Sequence, residues 1–373
     1  MYQMILFDVD GVLLSEERCF DASALAVWEL LYGSHFLELK EGKFTTAPAE
    51  EQIRYIRKEV FQEDKILDWM KDRGINANWD MVYLVFSTQL MLLLEKIDPT
   101  FVRDWIAKPI TEESLLALKK HTHGISPDFT FFSTLFDESK GKLNRDELLV
   151  YFNQYVQKQF GVDVDYFSRM STLWELGRSV YQEWYFGEAL FQKEEGYART
   201  KGKQGFLYQE SPLAPIEELQ QLFADLSRQG ITLGIGTGRP YLEMEVPLRE
   251  MGLLTNFDSN RIVTASDVVS AEGKYPDEAP LGKPHPFTYL LGYLGEEATD
   301  QKALELSLPI KDGEKLLVVG DSVADFLAAQ SIGCHFAATL TGLTGQAARE
   351  KFEELGADYI LDDVRQLRTI ITA

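Results

Sequence analysis

Cysteine is scarce in this 373-residue chain: there are two, Cys19 and Cys334, and their spacing suits no metal site. A disulfide framework is thereby excluded, and a reducing, cytoplasmic setting is expected. Histidine is also sparse, with five residues. His121-x-His123 has no third ligand nearby in sequence and reads as a surface loop; His285 and His335 have no evident partner and read as structural. Positive charge is short as well. Lys and Arg total 37 against 59 Asp and Glu, for a formal net charge of −22. Such a surface repels nucleic acid backbones and anionic membranes, so neither is expected as a partner. It also repels anionic substrates, so an anion site here must carry its own local positive charge. Long apolar runs are missing too. The longest, Val82 to Leu94, is broken by Ser87, Thr88 and Gln89 and is too short to span a bilayer, so it reads as a buried helix. The apolar run that follows Met1 is too short for a signal peptide and lacks a basic flank. There is no fixed-period repeat and no low-complexity tail.

What remains is an ordinary globular composition, 45% hydrophobic and 26% charged, at a length that suits two domains. Met4 to Phe7 is a compact apolar run stopped by Asp-x-Asp-Gly, which reads as a buried strand feeding a loop. A second such run, at 231–235, comes only after residue 205. From there strands and helices alternate. Helical patterns at 216–226, 242–251, from Pro286, 324–331 and 346–355 interleave with strand patterns at 231–235, 261–264, 315–319, 334–338 and 359–361. That alternation implies a parallel, doubly wound, Rossmann-like α/β sheet covered on both faces.

Residues 15–205 read differently. Long amphipathic patterns at 80–97, 144–160 and 166–191 predict an all-α domain, and all six tryptophans (Trp28, Trp69, Trp79, Trp105, Trp174 and Trp184) fall there as core candidates. The organisation expected is therefore an α/β domain from 1–14 and 206–373, with a large helical domain from 15–205 inserted directly after Asp10-Gly11. Ligands of open α/β sheets bind at the carboxyl ends of strands, so the insertion is placed to act as a cap. Arg199, Lys201 and Lys203 cluster where the chain returns to the sheet, and read either as a solvated linker or as a local anion site. The stretch from Phe136 to Leu148 is one residue short of a calcium loop and poor in acids, so calcium is not expected there.

Four short segments carry the chemistry. In Asp8-Val9-Asp10-Gly11-Val12, two acids two residues apart at a strand end point to the same side and need a cation between them. Mg²⁺, which prefers oxygen ligands, suits that need. In Gly236-Thr237-Gly238-Arg239-Pro240, a strand ends in small residues that let a backbone approach an anion, and Thr237 offers its hydroxyl and its N–H to a phosphoryl oxygen. Lys283, between Gly282 and Pro284, supplies a cation, and Pro284 and Pro286 are expected to hold that backbone extended. In Gly320-Asp321-Ser322-Val323-Ala324-Asp325, a strong strand ends at an acid, and a second acid falls in the first turn of the next helix. Each segment alone is an ordinary turn. Together they bring acids, a hydroxyl and a lysine to one edge of one sheet.

In this order, the segments resemble the four motifs of the haloacid-dehalogenase-like (HAD) hydrolases. The later part, with Ala328-Ala329, Gly333 and Thr341-Gly342, looks most like the phosphoglycolate-phosphatase and pyrophosphatase-like branch. The resemblance covers residues 1–14 and about 206–373; the helical insertion matches the caps of that branch in position but is much larger. It implies a Mg²⁺-dependent phosphatase acting on a small phosphorylated metabolite. Asp8 would be the nucleophile that forms an aspartyl phosphate, and Asp10 the general acid and base. Asp8, the backbone carbonyl of Asp10 and Asp321 would hold the metal, with Asp325 binding it through water or orienting Lys283. Gly11, Thr237, Gly238, Arg239 and Lys283 would surround the phosphoryl group. Asp10 argues against dehalogenation, because a departing halide needs no proton. Two alternatives stand beside the phosphatase: a phosphomutase of the same superfamily and a non-catalytic binding protein on the same scaffold.

Overall fold

A computed structural model describes residues 2–137 and 143–371; the central part of the calcium-loop-like stretch, 138–142, lies outside the described residues. The chain divides into two compact units, Met1–Glu16 with Leu207–Ala373, and Glu17–Phe206.

The first unit is built on β1 (Met4–Phe7), β2 (Thr232–Gly236), β3 (Ile262–Val263), β4 (Leu316–Gly320), β5 (His335–Thr339) and β6 (Tyr359–Leu361). They form one all-parallel sheet in the order β3-β2-β1-β4-β5-β6. Alternation along each strand feeds two cores. Ile5, Phe7, Leu233, Ile235, Leu317 and Val319 face one side, where Leu219, Leu222, Phe223 and Leu226 of the helix Ile216–Arg228 meet them. Leu6, Leu316, Val318 and Phe336 face the other, against Phe287 and Leu290 of the helix Phe287–Leu294 and Phe326 and Ile332 of the helix Val323–Ile332. Burying each such large apolar side chain contributes about 1.5–3 kcal/mol, which is why a strand with both faces covered reads as one continuous apolar run.

One predicted helix is adjusted and one helix is new. The pattern at 346–355 begins as a 3₁₀ turn, Gly345–Ala348, before the helix Arg349–Leu355. A helix not foreseen, Ala265–Lys274, follows β3, started by a capping box of Thr264 and Asp267.

The second unit is helical throughout its described secondary structure. Glu17–Tyr32, Asn78–Leu94 and Thr172–Phe186 are its most deeply buried helices. From Asp80 to Leu94 every residue is buried, as expected of a helix that is apolar all round. The pattern predicted as one helix over 166–191 is two. The first starts at the N-cap Ser171 and ends at Phe186; the second is Glu188–Glu195. Gly187, at φ +79°, separates them, and a Cβ there would lie 2.6 Å from the carbonyl oxygen of Gln204. The break therefore comes from a close backbone crossing. Trp28, Trp174 and Trp184 are fully in the core, while Trp69, Trp79 and Trp105 are partly exposed. His121 stacks on Phe101 with ring centroids 3.8 Å apart.

The cluster of Arg199, Lys201 and Lys203 is neither of the things the sequence suggested. Lys203 is fully buried, 2.7 Å from Glu29 and 3.1 Å from Glu183. Arg199 reaches Glu112, the Ser179 hydroxyl and the Tyr197 hydroxyl. Only Lys201 remains exposed. Buried acids inside the unit claim the charge that a surface anion would have needed.

Candidate active site

The sheet order places β2, β1 and β4 side by side, with Phe7 level with Ile235 on one flank and Val319 on the other. Their carboxyl ends are therefore level, and the next residues are Asp8 after β1, Thr237 after β2 and Asp321 after β4. Lys283 comes from the turn that precedes the helix Phe287–Leu294. That turn is closed by the His285 N–H donating to the Gly282 carbonyl, and Pro286 has helical dihedrals. The extended backbone expected around the two prolines is thus a turn instead, which directs Lys283 back to the strand ends.

Lys283 Nζ lies 2.9 Å from Asp8 Oδ2 and 2.8 Å from Asp325 Oδ1. Asp325 is completely buried and also accepts from the Tyr289 hydroxyl at 2.7 Å and the Ser322 hydroxyl at 2.6 Å. Ser322 and Asp325 form the capping box of the helix Val323–Ile332, which fixes the carboxylate in the first turn. Burial would raise the Asp325 pKa, but Lys283 and the two hydroxyls outweigh it and hold the carboxyl below its usual range. For Asp8 the balance is opposite. Burial pushes it up to about 7; Lys283 opposes, while Asp325 and Asp10 add to the rise. Burial works against the charged form of Lys283, yet Asp325 and Asp8 raise its pKa above the ordinary value.

Asp8, Asp321 and Asp325 present oxygen atoms that all lie within 4.8 Å of one another, and among the described residues this is the one group of three or more acids, histidines or cysteines so placed. The surroundings of Asp321 make room for it. A Cβ on Gly11, which sits at φ +67°, would lie 2.3 Å from Asp321 Oδ2, and one on Gly342 would lie 1.9 Å from it. Three converging carboxylates, Asp8 among them with its pKa raised first by burial and then by the neighbouring acids, fit a small, hard cation such as Mg²⁺.

Asp10 is turned elsewhere. Its carboxylate receives the guanidinium of Arg239, with Nε 2.9 Å from Oδ1 and Nη2 2.6 Å from the same oxygen. Arg239 was expected beside the phosphoryl group; here it is 2% exposed and spent on Asp10 and Glu210. Thr237 is buried, and its N–H donates to the Val263 carbonyl at 3.0 Å, continuing the sheet ladder. The hydroxyl alone is therefore offered, not the hydroxyl and N–H together. Gly11 differs as well: its N–H donates to Leu14, and its carbonyl accepts the hydroxyls of Thr341 at 2.6 Å and Thr339 at 3.1 Å. Its part is to clear space for Asp321. Gly238 is exposed, with open space where a Cβ would stand.

The sequence reading missed Tyr289, Ser322 and Glu210. Ser322-x-x-Asp325 carried a legible capping signal, and Tyr289 lies six residues after Lys283 in an apolar helix. Nothing local marks Glu210.

Residues 280–367, which hold Lys283, Asp321 and Asp325, match the family described as HAD-hydrolase-like. A comparison with curated proteins gives no match. Across 99% of its length the chain is similar to 98% of a protein solved by X-ray crystallography by the Northeast Structural Genomics Consortium, at 37% identity and a TM-score of 0.77. A HAD-superfamily hydrolase of subfamily IA, variant 1, from Geobacter sulfurreducens PCA matches at 15% identity and a TM-score of 0.38, over 99% of this chain and 96% of its own. A predicted phosphoglycolate phosphatase from Haemophilus somnus 129PT matches at 15% and 0.40, over 99% and 98%. Residues 280–367 of this chain belong to the haloacid-dehalogenase-like hydrolase family.

Proposed function

We propose that this chain is a Mg²⁺-dependent phosphatase that hydrolyses a small phosphate monoester through an aspartyl phosphate on Asp8. The observation that carries the reading is Lys283 bridging Asp8 and Asp325 at the carboxyl ends of β1 and β4, with Asp321 converging on the same point. A fold gains little from three carboxylates gathered there unless they serve a cation and an anion together.

Asp8 attacks phosphorus in line with the departing oxygen. Asp10, 20% exposed at its side chain, gives a proton to that oxygen and then takes one from the water that opens the aspartyl phosphate. Lys283 and the Thr237 hydroxyl stabilise charge on the transferring group. Asp8, Asp321 and the backbone carbonyl of Asp10 would hold Mg²⁺, which when bound offsets the charge of the carboxylates and of the phosphoryl oxygens. Of the two roles open to Asp325, its contacts support orienting Lys283. No helix among the described residues is long and apolar enough to cross a membrane; a cytoplasmic setting is proposed from the scarcity of cysteine.

The test is phosphate release from a broad panel of phosphate monoesters. Turnover should require Mg²⁺, vanish with a chelator and return when Mg²⁺ is restored. Turnover that a chelator leaves untouched would overturn the metal assignment. Isomerised sugar phosphate in place of free phosphate would turn the reading to a mutase.

A further inference from the structure

Arg239 is among the largest fully buried side chains of the protein, and it has acids on two sides. Asp10 takes Nε and Nη2. Glu210 lies 3.2 Å from Nη1 through Oε1 and accepts from Nη2 at 3.4 Å through Oε2. The Glu243 carbonyl accepts from Nη1 at 3.3 Å. Exposure falls along this line, from 20% for the Asp10 side chain to 2% for Arg239 and 1% for Glu210. Asp10 is thus the member a substrate can touch.

One acid is enough to neutralise one guanidinium. A second buried carboxylate adds desolvation cost and a surplus negative charge, and buried ion triads of this kind are poor sources of stability. What the second acid does provide is direction. A guanidinium is a rigid planar fork with its donors in fixed places, so gripping it on one side sets what it presents on the other. With Glu210 and the Glu243 carbonyl holding Nη1, the Nε and Nη2 edge is left facing Asp10.

The backbone around both ends is tied together. Asp10 forms a parallel bridge with Leu14, and Leu14 an antiparallel bridge with Pro212. Ser15 N–H donates to the Ser211 carbonyl at 2.9 Å and Leu213 N–H to the Leu13 carbonyl at 3.0 Å. Glu210 therefore stands on the segment by which the chain re-enters the sheet unit, laced to the segment that leaves it just past Asp10. We infer that Glu210 is a positioning residue that acts through Arg239 to hold the Asp10 carboxylate where it meets the departing oxygen. Neither Glu210 nor Arg239 touches the reacting atoms.

The inference rests on the proposed phosphatase chemistry, and the experiment separates the two. Measure kcat/KM, which reports the first chemical half-reaction, for an alkyl phosphate and for 2,4-dinitrophenyl phosphate. An alkoxide needs a proton in order to leave; dinitrophenolate does not. Glu210→Gln and Glu210→Ala should lower kcat/KM for the alkyl ester about 10-fold to 100-fold, as small misplacements of a catalytic group do. They should change the dinitrophenyl ester by less than about threefold, because proton donation is what is lost. Arg239→Lys, which keeps the charge but not the fork, should show the same split. Asp10→Asn should show the same split with a larger amplitude. Thermal unfolding of each variant confirms folded protein, and Glu210→Gln, the nearest in shape, serves if Glu210→Ala does not fold. Equal losses on the two esters, or none in either Glu210 variant, would overturn the relay. Wild-type turnover that Asp8→Asn leaves intact would bring down the phosphatase reading, and the relay with it.

Discussion

Both units of this chain bury a lysine between two acids, and the two clusters do different work. In the sheet unit, Lys283 sits between Asp8 and Asp325. In the helical unit, Lys203 sits between Glu29 and Glu183. The acids of the helical cluster are used up within the fold. One Glu183 oxygen accepts the backbone N–H groups of Arg199 and Thr200, and Glu29 pairs with His35 at 3.0 Å. The sheet cluster is joined by a third carboxylate, Asp321, and has Asp10 partly exposed nearby in sequence. A buried lysine between acids is therefore no mark of a site by itself. The proposed site differs in its third carboxylate at the strand ends, Asp321.

The largest effect that can break this comparison is on Lys283. Lys283→Met should lower kcat on the order of 10³-fold, the scale of losing one preorganised donor to the developing charge. Steady-state kinetics on any accepted ester checks it, and near-normal kcat would make the two lysines equivalent after all. Next is Lys203→Met, where the expected loss is stability. Removing one partner from a buried ion cluster costs about 3–5 kcal/mol, because it leaves acids uncompensated. Denaturant unfolding should show a lower midpoint for the transition of the helical unit, with kcat per folded molecule little changed. The smallest effect belongs to the surface end of the same segment. Arg199 is held by Glu112, Ser179 and Tyr197, so Arg199→Ala with Lys201→Ala should leave KM for an anionic substrate unchanged within error. A clear rise in KM would restore the anion site that the sequence suggested there.

The two units were also unequally legible. The sheet could be read because burial on both faces forces apolar runs, and because each run stops at a chemically distinct residue: Asp8, Thr237 or Asp321. The site's outer layer was harder. Arg239 follows Thr237-Gly238 in sequence, and no pattern reveals that its side chain turns to Glu210, 29 residues earlier, and not to a phosphate. The N–H of Thr237 looked available because sequence does not show that β3 claims it. In the helical unit the periodicity gave helices but not their ends. Gly187 splits one expected helix because of a crossing at Gln204, a contact made in three dimensions only. Lys203 looked like surface for the same reason. The one local clue was the position of its partners, since Glu29 and Glu183 stand among apolar residues inside helices, where a solvated acid would be out of place.

The proposed role of Asp8 as the nucleophile of a phosphatase site is tested directly by one assay. Purified chain and its Asp8→Asn variant are incubated with an aryl phosphate and Mg²⁺, and released phosphate is followed over time. The native chain should turn over and the variant should give only background release, since an amide at this position cannot open the aspartyl-phosphate route. Equal release by the two proteins, or none by the native chain across the full panel of esters, would contradict it.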